Sequence, residues 1–163
     1  MRNALHLDMR YSTSFMIALL CIILRYGSQT YAFSTSSGLA DHLLFHFCHA
    51  NVFHMLVNLL TLFIFRPRIS TSIVAYVFAT LVSYMPFVAH DIPTMGLSAF
   101  LFAAYARKFY FHSINPARLI VLQIAFLPVP GVNWIIHIVS FSAAYLCWAL
   151  LDAYRIAKFY HVI

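Results

Sequence analysis

Six apolar runs, separated by short breaks that are polar or carry Pro and Gly, constrain this chain more than any single motif in it. A water-soluble fold must cover its surface with polar side chains, and these runs leave too few to do so. Hydrophobic residues make up 63% of the 163 positions and charged residues 9%, which lifts the mean hydropathy to +0.85. Sixteen Phe and ten Tyr fit a lipid-facing surface with aromatic belts at its edges. The expectation is an all-α membrane protein, because helices satisfy their own backbone where no water can.

The runs predict six transmembrane helices over about 12–31, 50–65, 70–88, 97–112, 116–128 and 133–153, forming one domain over 1–163. Arg66-Pro-Arg68 stops the second, Asp91-Ile-Pro93 precedes the fourth, Pro116 starts the fifth, and Pro128-Val-Pro-Gly131 ends it. Several fall short of the roughly 20 residues of an upright span, so tilt or local bilayer thinning is expected. No small-residue cleavage site clearly follows the first run, which therefore reads as a retained helix rather than a signal peptide.

The basic residues give an independent test of this topology. Arg2 and Arg10 precede the first run, Arg66 and Arg68 follow the second, and Arg107, Lys108 and Arg118 surround the link between the fourth and fifth. Arg155 and Lys158 follow the sixth, whereas 32–49, 89–96 and 129–133 contain no Lys or Arg. By the positive-inside rule both termini are cytoplasmic, as an even number of spans requires. Arg25 alone departs from the pattern, and its long stem lets it snorkel. The net charge of +6 is split into these small groups, so nucleic acid is not an expected partner. Cys21, Cys48 and Cys147 lack CxxC spacing and read as free, buried thiols. The localisation implied is integral and multi-pass, in a plasma membrane or, in a bacterium, the inner membrane.

Polar groups at membrane depth are costly and mark function by default. His54 and Asn58 are four apart, on one face near the start of the second predicted helix. Gly96-Leu97-Ser98 opens the fourth, and His137 sits near the start of the sixth. These helices run in the same direction, so all four groups lie in their outer halves and one outward-facing cavity can collect them. The only acids are Asp8, Asp41, Asp91 and Asp152, all near loops or predicted membrane surfaces. No carboxylate is therefore placed to orient the histidine as in a Ser-His-Asp triad. Hydrolysis here would run on a Ser-His dyad, and carboxylate-driven proton relays lose their usual parts.

His49–Asn58 reads H-x-x-x-x-H-x-x-x-N, Gly96–Ser98 reads G-x-S, and a later helix carries a histidine. This order, on the second, fourth and sixth of six helices, resembles the rhomboid intramembrane serine proteases across essentially the whole chain. The resemblance implies a serine endopeptidase that cleaves transmembrane or membrane-associated substrates near the extracytoplasmic side, without cofactor or metal. Ser98 would be the nucleophile, forming an acyl-enzyme, and His137 the general base and then acid. His54, Asn58 and the Ser98 backbone N–H would form the oxyanion hole, each donor being worth about 2.7–4 kcal/mol. Gly96, His49, Phe102 and Ser140 would support these groups, Gly96 by allowing a close backbone approach.

The family pattern is not kept throughout. Ala99 stands where a second Gly is common, Ile136-His137-Ile-Val-Ser140 replaces A-H-x-x-G, and Phe102 replaces a Tyr that stacks on the histidine. Ser140 and Ala144 still form a small-xxx-small stripe for close packing with the fourth helix. An alternative on the same fold is a catalytically inactive rhomboid-like protein that binds transmembrane helices. A third reading makes a transporter or metal-handling protein of His42, His46, His49 and His54, in which i, i+4 spacing would chelate zinc. His42 and His46 otherwise read as interfacial.

Overall fold

The computed structural model describes residues 2–26, 31–88, 93–112 and 133–160; the predicted fifth helix over 116–128, Asp91 and Arg118 lie outside them. Regular structure among the described residues is helical, with one isolated antiparallel bridge between Phe33 and Thr94. The helices are α1 Arg2–Tyr26, α2 Leu39–Leu44, α3 Val52–Phe65, α4 Ile69–Ser83, α5 Ser98–Phe111 and α6 Trp134–Phe159.

Several boundaries differ from those read off the apolar runs, for local reasons. The first helix occupies Arg2–Tyr26 instead of 12–31, because the polar stretch Arg2–Tyr11 contains no breaker and joins the helix. The last continues to Phe159 instead of 153, carrying Arg155 and Lys158 on helical backbone. In both, loss of apolar character does not end helicity. The third stops at Ser83 instead of 88: Tyr84 N–H closes the last turn on Leu81 and Val82, and Pro86 disfavours helical backbone at Met85. The short α2 lies in a stretch read as loop. Asp41 accepts the Gly38 N–H at 3.0 Å, capping a turn too short to show a helical period.

Two asparagines start helices that matter below. Asn51 accepts the His54 N–H at 2.8 Å to cap α3, and Asn133 accepts the Ile136 N–H at 3.3 Å to cap α6. At its other end α3 is closed by Arg66 in left-handed backbone, φ 49°.

Small side chains set the packing. Ala99, Ala103, Ala104 and Ala106 on α5 are buried, as are Ser140 and Ala144 on α6 and Ala75 and Ala79 on α4. With so little bulk between them, α5 packs extensively on both α4 and α6 and becomes the centre of the bundle. Outward faces are apolar on four helices: Phe15, Leu19 and Ile23 on α1; Phe53, Leu60 and Ile64 on α3; Ile69, Ile73 and Leu81 on α4; Leu146 and Leu150 on α6. By length and composition α6 can cross a membrane; α3 and α4 are apolar but shorter. Cys21 and Cys48 are buried and Cys147 half-buried, all as free thiols.

Candidate active site

Ser98 is the first residue of α5 and His137 lies in the first turn of α6, so the close α5–α6 packing brings two helix starts together. Ser98 Oγ and His137 Nε2 are 2.7 Å apart. The Phe102 ring, one turn after Ser98, stacks on His137 with centroids 4.7 Å apart and planes 7° from parallel. The imidazole is thus fixed by a hydrogen bond on its edge and a ring on its face. Ser140, one turn beyond His137, is fully buried, and its hydroxyl has no hydrogen-bond partner. It fills space where a larger side chain would push α5 and α6 apart.

The approach to Ser98 is irregular, as its residues require. Gly96 has φ +130°, a conformation that L side chains rarely adopt. A Cβ there would lie 2.6 Å from His54 Cε1 and 2.9 Å from His54 Nε2, with Asn58 Nδ2 at 3.7 Å. Gly96 therefore lets the chain run against the His54–Asn58 face of α3. Asn58 is buried, and its Nδ2 has no acceptor. Because Ser98 stands at a helix start, its own N–H has no acceptor one turn back in the helix. A buried amide donor and a helix-start N–H beside a serine hydroxyl are what a developing oxyanion needs.

Neutral hydrogen bonds brace this arrangement. Gly96 N–H donates to the Phe45 carbonyl at 2.9 Å, and Phe33 and Thr94 exchange two backbone bonds of 3.0 and 2.9 Å. His49 Nδ1–H donates to the Phe47 carbonyl at 3.3 Å, leaving Nε2 to accept the Leu97 N–H at 3.4 Å. Its ring also meets His54 edge-on, centroids 5.2 Å apart. Asn133 Nδ2 donates to the Val88 carbonyl at 2.9 Å and Thr94 Oγ1 at 3.1 Å, tying the start of α6 to the segment before Ser98.

His42 and His46, read from the sequence as interfacial, are both buried against α4. His42 Nδ1 lies 2.8 Å from Ser83 Oγ, whose own proton goes to the Thr80 carbonyl at 2.6 Å, so the imidazole donates. The ring is sandwiched by Tyr84 and Phe33 at 3.9 and 5.6 Å. His46 Nε2 meets Thr80 Oγ1 at 3.0 Å. Burial pushes His46 down to about 3 and, with the nearby His54 ring, His49 down to about 4, so both are neutral near pH 7. These rings are committed to α4 and the Leu97 backbone, and among the described residues no three His, Cys, Asp or Glu side chains gather as metal ligands.

All eight residues singled out from the sequence meet in this region: Ser98, His137, His54, Asn58, Gly96, His49, Phe102 and Ser140. The braces from Asn133, Thr94, His42 and His46 were not foreseen. An Asn directly before a helical run was the readable signal for Asn133, as an N-cap. Among known proteins, no family model matches this chain, and no curated protein matches it at a significant level.

Proposed function

We propose that this chain is a multi-pass intramembrane serine endopeptidase of the rhomboid type, cleaving transmembrane or membrane-associated proteins near the extracytoplasmic face. The observation that carries the reading is the 2.7 Å Ser98–His137 pair at two helix starts, beside the acceptor-less Asn58 amide. Apolar side chains exposed on α1, α3, α4 and α6 support burial in lipid, since a monomer in water rarely exposes so much apolar surface. In this reading the Ser98 end faces outward, and Arg66, Arg68, Arg107 and Arg155 face the cytoplasm.

The chemistry follows from the groups present. Neutral His137 accepts the Ser98 hydroxyl proton as Oγ attacks the scissile carbonyl carbon, and the carbonyl oxygen becomes an oxyanion. Asn58 Nδ2, the Ser98 N–H and the His54 ring stabilise it. Imidazolium His137 then protonates the leaving amine, releasing one fragment and an acyl-enzyme. Water, deprotonated by His137, attacks the ester carbon; the bond to Ser98 Oγ breaks, imidazolium His137 returns the proton to Oγ, and the second fragment leaves with the new carboxyl end. Phe102 keeps the imidazole in line through both halves.

The test is labelling of detergent-purified protein with a fluorophosphonate. Wild type is expected to label at Ser98, and Ser98→Ala and His137→Ala to lose labelling by about 10³-fold or more. A folded wild type that does not label would favour the inactive helix-binding alternative.

A further inference from the structure

Between α1 and α4 lies an apolar groove of about 460 Å³ that runs from Met9 as far as Phe47 and Phe100. Met9, Met16 and Leu20 line one wall and Ile69, Ile73 and Tyr76 the other. From Met9 to Leu20 the wall runs about 16 Å along the helix, on the order of a fatty acyl chain. Ser72 also lines it; this residue is 7% exposed, and its hydroxyl has no partner.

Basic residues flank the Met9 and Ile69 end of the groove in the chain. Arg10 and Arg68 are the chain neighbours of Met9 and Ile69. Both lie within electrostatic reach of Arg107 on α5, as does Arg155 on α6. Arg107 is held over the rings of Phe111 and Trp148 at 5.0 and 5.2 Å. Its Nε and the buried Trp148 indole N–H both lack acceptors. Asp152, the nearby acid on α6, already accepts the Tyr110 hydroxyl at 3.0 Å. Arg10, Arg68 and Arg155 thus each add like charge at Arg107, and this repulsion is relieved by an anion.

We infer that this is a binding site for an anionic phospholipid, with an acyl chain in the α1–α4 groove and its phosphate among Arg10, Arg68, Arg107 and Arg155. The groove accounts for the tail and the arginines for the headgroup, so a zwitterionic lipid satisfies only half of the site. The inference rests on the membrane reading and is independent of whether Ser98 is catalytic.

Native mass spectrometry of the full chain in mild detergent tests it, comparing phosphatidylglycerol with phosphatidylcholine of the same acyl chains. Phosphatidylglycerol is expected to be retained at least about tenfold better, a difference a single charge-assisted contact can supply. Arg10→Gln with Arg68→Gln removes the preference. Ile73→Phe, which fills the groove and leaves every charge, lowers retention of both lipids. Equal retention of the two lipids by wild type, or a preference unchanged in the double variant, overturns the site. So does inorganic phosphate that displaces the lipid completely and raises the melting temperature as much, since the arginines alone would then suffice. If the glutamine variants do not fold, Ile73→Phe decides. The membrane reading is checked separately by carbonate extraction: a chain that stays in membranes yet shows no lipid preference defeats the site alone.

Discussion

The two ends of the bundle handle polarity in opposite ways. Around Ser98 the polar groups are neutral and mostly paired, His42 with Ser83, His46 with Thr80, His49 with Leu97, and Asn133 with Val88 and Thr94. At the other end they are charged and held by rings: Arg107 over Phe111 and Trp148, Arg66 over Tyr11 at 4.4 Å, Lys108 near Phe65 at 5.8 Å. A site that must hold atoms to a fraction of an ångström gains from short, directional hydrogen bonds. A surface that must attract a charged partner gains from cations with few internal counter-ions. Missing partners alone do not distinguish the two: Ser14 also buries an unpaired hydroxyl and lines no proposed site. What distinguishes Asn58 and Arg107 is the company they keep, a serine–histidine pair in one case and three further arginines in the other.

The most severe way to break the Ser98 end is Gly96→Ala. Positive φ strains any Cβ-bearing residue by about 1–3 kcal/mol, and here the new Cβ meets His54 at 2.6 Å. The ring is the movable partner, so it swings out of the site and activity suffers more than fold. Labelling is expected to fall by about 10³-fold, with a smaller drop in melting temperature. Labelling at the wild-type rate would show that the His54–Gly96 contact plays no part in the chemistry.

Asn58→Ala sharpens the contrast between holding a site and stabilising a fold. The buried Nδ2 has no acceptor in the resting protein, so its removal relieves an unmet donor. The rate of labelling is expected to fall by about 10²–10³-fold while the melting temperature holds or rises. A lost fold with the activity would mean that Asn58 is a structural amide. The same substitution at Asn133, which caps α6 and braces Thr94, is of the opposite kind, because there both amide atoms are bonded.

Why the site was readable and its braces were not follows from the kind of signal each carries. Gly96, Ser98, His54, Asn58 and His137 are polar or small residues inside apolar runs, where each stands out singly. The spacing of His54 and Asn58 survives translation into structure because four residues in a helix share a face. The Ser83–His42 and Thr80–His46 bonds join positions 41 and 34 apart in sequence. No local pattern encodes such a pairing, and a histidine in a polar loop looks exposed until its partner is known. Helix ends were misread for another reason: hydropathy marks where apolar surface stops, while Arg155 and Lys158 continue the helix of α6 on polar side chains.

That same brace gives the gentlest test, because acid acts on it and spares the arginines. In the folded chain His46 and His49 sit at about 3 and about 4, below the ordinary value of 6.5. Between pH 6.5 and about 4 the unfolded segment binds protons that the folded one refuses, so the stability these rings contribute is complete above pH 6.5 and drains as pH falls toward 4. Each ring can contribute a slope of up to about 1.4 kcal/mol per pH unit. Protonation also takes the lone pair with which His49 Nε2 accepts the Leu97 N–H, loosening the backbone just before Ser98. Amide exchange should therefore speed up across residues 31–51 and at Leu97 as pH drops through this window, after correction for intrinsic rates. Around Arg107, always protonated, protection should hold. Uniform loss of protection along the chain would mean that the two ends do not differ in how they are held.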